Sequence, residues 1–126
     1  MILGIDFGLK RIGLALADQD LVEPFKVVNN SSAGFKKLVE VCRQYQISQI
    51  VVGLPEGRLV PAVKQFAQKL KRAAGLPVAF QDESLTTQDA LAKMIMSGKK
   101  QQARRQTDTV AAALILENYL QRTNNV

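Results

Sequence analysis

Four acidic residues stand where a carboxylate is hard to explain as surface chemistry. Asp6 lies inside the apolar run ILGIDF, Asp82 and Glu83 close LPVAFQDE, and Asp108 precedes the apolar stretch VAAALIL. The chain has no histidine, and Cys42 is its one cysteine. It can therefore build neither a Ser-His-Asp or Cys-His nucleophile nor a Cys/His zinc cluster. Any acid–base or metal chemistry must run on carboxylates. Hard oxygen donors without imidazole or thiolate suit Mg²⁺ or Mn²⁺, and three carboxylates can hold two such ions about 3.5–4 Å apart, the clamp for in-line phosphodiester displacement.

Each acid also has a plainer explanation. Asp108 would match the dipole of a helix that starts beside it. Asp82 or Glu83 would serve as a loop acid or cap the helix that follows. Asp6 is harder to dismiss, because a buried ionised carboxylate costs several kcal/mol unless a cation pairs with it. Lys10 or Arg11 is the candidate partner.

For these acids to converge, the elements must bring them to one edge. Ile2, Leu3 and Ile5, then Ile12, Leu14 and Leu16, predict two strands joined by a turn over residues 8–11. Residues 21–28 read as a third strand, placed at an edge by Pro24. Residues 29–32 carry helix-start chemistry, and Phe35, Leu38, Val39 and Cys42 follow as one buried stripe, making Cys42 a core residue. Residues 48–55 and 76–83 read as buried strands, with a helix between them that carries Val63, Phe66, Ala67 and Leu70 and stops at Gly75. A further helix is expected from Thr86 to Gly98, then a basic loop, GKKQQARRQ, then a deeply buried helix from about 107 to 122.

The order βββαβαβαα describes a single α/β domain over residues 1–126. Right-handed crossovers make the last two strands parallel to the first in a mixed five-stranded sheet with helices on both faces. Parallel strands share a C-terminal edge, where such sheets place ligands. Asp6, the Asp82–Glu83 pair and Asp108 would meet there. With the fourth strand between the first and fifth, Gly53 is expected to leave room for metal and phosphate.

Seventeen Lys and Arg against eleven Asp and Glu give a net charge of +6, which favours an anionic partner. Lys64, Lys69, Lys71 and Arg72 read as a solvated helix face. Lys99, Lys100, Arg104 and Arg105 fall between two of the acids, and with Lys10 and Arg11 they are expected to grip a phosphate backbone. Tyr45 and Tyr119 look packed, which leaves little to stack on bases. The longest apolar run, residues 110–116, is too short to span a membrane, and the N-terminus lacks the layout of a signal peptide. A cytoplasmic location is expected.

The segments ILGIDFGLKRIGLALAD, IVVGLP, QDESLTTQDA and TDTVAAALILENYL resemble, in order and across nearly the whole chain, the motifs of the YqgF family of ribonuclease-H-like proteins. These are the pre-16S rRNA nucleases once described as Holliday junction resolvases. The resemblance implies a ribonuclease-H-like fold and assigns the metal-binding acids to Asp6, Glu83 and Asp108. It implies a metal-dependent nuclease, monomeric or homodimeric, acting on structured RNA ahead of branched DNA. Leu9 replaces the family's usual Thr, Ser84 its usual Arg, and the segment after GLP is short. The missing Arg keeps open a non-catalytic RNA-binding or assembly factor on the same fold. DFGLKRIG also resembles the first phosphate motif of actin-type ATPases, but no second glycine-rich phosphate segment follows.

Overall fold

The computed structural model describes residues 1–83 and 100–124. Five strands form one sheet: β1 (Ile2–Phe7), β2 (Arg11–Asp18), β3 (Leu21–Asn29), β4 (Gln49–Leu54) and β5 (Val78–Asp82). Their spatial order is β3-β2-β1-β4-β5. The first three pair antiparallel, whereas β4 is parallel to β1 and β5 parallel to β4. Pro24 thus lies on an edge strand, and β4 sits between β1 and β5, as the sequence predicts.

Among the described residues three helices cover the sheet: α1 (Ser32–Gln44), α2 (Val60–Ala74) and α3 (Lys100–Asn124). The Ser31 side chain caps α1 by accepting from the Gly34 N–H at 3.1 Å. Gly75, at φ 68°, ends α2 in the left-handed region. Pleat alternation then divides the core in two. Leu3, Ile5, Leu14 and Val52 pack against α1 and α2, with Cys42 buried among them. Ala15, Ala17 and Val51 face Ala112, Ile115 and Leu116 of α3. Small residues on that second face let α3 lie close to the sheet.

The structure corrects one element. Residues 100–106, expected as a flexible basic loop, are the first turns of α3. Lys, Gln, Arg and Ala are all strong helix formers, and neither Gly nor Pro interrupts them. They lack an apolar stripe, so periodicity alone misreads them. The helix expected from Thr86 to Gly98, with Ser84 and Lys99, lies outside the described residues.

Candidate active site

Asp6 lies near the C-terminal end of β1, on the face that α3 covers, and its cross-strand neighbour is Gly13 on β2. A Cβ at position 13 would collide with the backbone carbonyl of Asp108. Glycine there lets α3 pass close over the strand, so strand register and one absent methyl group together bring Asp108 beside Asp6. Glu83 arrives from the other side. It follows the last residue of β5, and its N–H donates to the Leu54 carbonyl of β4 at 3.2 Å.

The Asp6 carboxyl donates a hydrogen bond to Glu83. Burial first, then the charge and hydrogen bond of Glu83, then the charge of Asp108, push Asp6 up from 3.8 to about 8. Asp6 therefore holds on to its proton well above the usual carboxylate range. Asp82 is exposed at the strand end, so Glu83 is the acid that meets Asp6.

Asp108 has a different partner. Its Oδ2 accepts from Arg11 Nε at 2.9 Å, with the two side chains 20% and 34% exposed respectively. Arg11, one of the two cations expected as a partner for Asp6, is thus committed to Asp108, and Asp6 faces another acid. The helix-dipole explanation of Asp108 also falls, because α3 begins at Lys100 and the dipole effect fades within the first turn. Gly53 is needed for close approach, but for a reason other than the expected one. A Cβ there would collide with the Ile115 δ-methyl and stand 3.3 Å from Glu83 Oε1, so the space above it already holds those side chains.

An open groove of about 530 Å³ reaches Asp108, lined among the described residues by residues 8–11, Leu59, Thr107 and Asp108. Its turn is held from the neighbouring strand end: Asn30 donates from Nδ2 to the Gly8 carbonyl at 2.8 Å and from its backbone to the Lys10 carbonyl at 2.9 Å. Lys10 and Arg11 thus line the groove, and Arg11 touches Asp108. Lys100, Arg104 and Arg105 occupy helical positions upstream of Asp108, with position 104 one turn before it. Lys64, Lys69, Lys71 and Arg72 are exposed on α2.

The donor set suits a hard divalent cation. Such a cation would take the place of the proton that Asp6 holds against Glu83. Gln81, paired with Gly53 across β4 and β5, adds a buried Oε1 without a hydrogen-bond partner among the described residues. Yet no three His, Cys, Asp or Glu side chains among the described residues form a ready-made metal cluster. Asp108 stays on Arg11, beside an acid pair. Sequence reasoning missed Gly13, Asn30 and Gln81. A lone glycine inside a strand was the available signal for Gly13, whereas the other two depend on tertiary contacts.

A family model described as "RuvX: Holliday junction resolvase" matches residues 1–122. The chain belongs to this family. Among its RuvX relatives, a Streptococcus thermophilus protein is 36% identical over 96% of this chain and 97% of its own length. One from Endomicrobium trichonymphae is 37% identical over 94% of each chain. Both carry the name "Putative pre-16S rRNA nuclease". Among solved structures, RuvC of T. thermophilus in complex with a Holliday junction substrate superposes with a TM-score of 0.61 and 19% identity, covering 97% of this chain and 95% of that one. The likeness to RuvC is one of fold, and it bears out the expected ribonuclease-H-like class.

Proposed function

We propose that this chain is a divalent-metal-dependent nuclease that trims the 5′ end of pre-16S rRNA in ribosome biogenesis. The observation that carries the reading is the largely desolvated Asp6 carboxyl, held against Glu83 and near Asp108 with no cation paired to it among the described residues. Such an arrangement is unfavourable as architecture and useful as a cation site. The names of the RuvX relatives support RNA as the substrate.

When bound, Mg²⁺ or Mn²⁺ lowers the pKa of water, polarises the phosphoryl group and offsets charge on the leaving oxygen. Asp6, once it has lost its proton, would hold the ion through its carboxylate oxygens together with Glu83 and Asp108. Lys10 and Arg11, on the groove wall, hold the phosphates flanking the scissile bond. Asn30 ties down the backbone of the turn that carries both side chains. Water oxygen bonds to phosphorus as one bridging P–O bond breaks, and the departing oxygen takes up a proton.

The family's description, Holliday junction resolvase, favours branched DNA as a second reading. A 5′-extended 16S precursor RNA and a four-way DNA junction, incubated side by side with Mn²⁺ or EDTA, separate the two. Cleavage of the RNA only with Mn²⁺ is expected. Cleavage of the junction alone would establish the resolvase reading, and binding without metal-dependent cleavage of either would indicate an assembly factor.

A further inference from the structure

We propose that Arg11 couples nucleic-acid binding to metal binding: a backbone phosphate draws its guanidinium away from Asp108, and the released carboxylate completes the cation site with Asp6 and Glu83. The inference rests on the nuclease reading above. Three observations carry it. First, the acid site is divided as it stands, with Asp6 hydrogen-bonded to Glu83 while Asp108 is held by Arg11, and no ready-made three-acid cluster is gathered among the described residues.

Second, the contact on Asp108 is made through Arg11 Nε at 2.9 Å, the one side-chain hydrogen bond of Arg11 among the described residues. The two terminal nitrogens therefore remain for a second acceptor, and phosphate suits a guanidinium fork. Third, Arg11 and Asp108 line the same groove and are partly exposed, so the pair is weakly held against a competing anion. Lys10 beside Arg11 adds a second charge for that anion. The neighbouring turn is fixed by Asn30 on both Gly8 and Lys10, so the exchange needs a side-chain rotation and no backbone movement.

Such coupling is reciprocal. Nucleic acid must tighten metal binding by the same factor as metal tightens nucleic acid. Before substrate arrives, Arg11 offsets the charge on Asp108 and keeps the cation site incomplete. Arg11 is thus a positioning residue that acts through Asp108.

Mn²⁺ titration followed by electron paramagnetic resonance tests this on the full chain, with and without a 2′-O-methyl RNA hairpin, the hairpin alone serving as the blank. In the wild type, the hairpin should lower the Mn²⁺ dissociation constant by about tenfold. In Arg11→Gln, the hairpin-free protein should bind Mn²⁺ more tightly than wild type, and the hairpin should add less than about twofold. A merely structural salt bridge would instead weaken Mn²⁺ binding when broken. Hairpin-independent Mn²⁺ affinity in the wild type, or a coupling that persists in Arg11→Gln, would overturn the proposal and leave the nuclease reading standing. No Mn²⁺ binding under either condition would overturn both.

Discussion

Asp6 concentrates the chemistry of this molecule in one carboxyl group. Its burial against Glu83 raises it from 3.8 to about 8, so the folded protein binds a proton that the unfolded chain releases across that interval. The linked stability is fully present below the ordinary carboxylate pKa and is lost as pH rises toward 8. Asp6→Asn removes the dependence. In EDTA the variant should match wild type near the acid end of the interval and exceed it at the alkaline end by at least about 1.4 kcal/mol, the equivalent of one pKa unit. Urea unfolding across the interval checks this, and a pH-independent difference between the two proteins would contradict it. Gly13 matters through absence. Gly13→Ala pushes a methyl group into the Asp108 carbonyl, which should cost about 1–3 kcal/mol and lower cleavage with it. A variant of wild-type stability and rate would show that α3 does not need that close approach.

Among the elements, the strands were readable because their apolar residues alternate and their turns carry Asn, Asp and Gly. The start of α3 was hidden because KQQARRQ has helix propensity without an apolar face, and charge alone resembles a loop. Carboxylates inside apolar runs betrayed the site acids. Their partners were not readable, since Arg11 meets Asp108 only after β1 and β2 set Asp6 opposite Gly13 and α3 settles onto that glycine. The helical start changes how the basic residues act. Helical geometry puts position 104 one turn before Asp108. Arg104→Gln with Arg105→Gln should weaken RNA and DNA alike and flatten the salt dependence by about one to two, at roughly 0.7–0.9 per phosphate contact. Binding titrations at several salt concentrations measure the slope. An unchanged slope would mean these positions do not touch nucleic acid.

At the scale of the whole molecule, a net charge of +6 favours a polyanionic partner, and the proposed acidic site would reserve a place for its counter-cations. Among the described residues no helix is long and apolar enough to cross a membrane. The chain spans nearly the full length of its curated relatives, and all three proposed site acids lie within it. Symmetric cleavage of a four-way junction would need two copies. Whether the three distant acids form one reactive site is best tested by the rate of precursor RNA cleavage in saturating Mn²⁺ by Asp6→Asn, Glu83→Gln and Asp108→Asn. All three should melt as folded proteins and lose at least roughly 100-fold in rate, whereas a wild-type rate in any one of them would remove that residue from the site and break the convergence on which the mechanism depends.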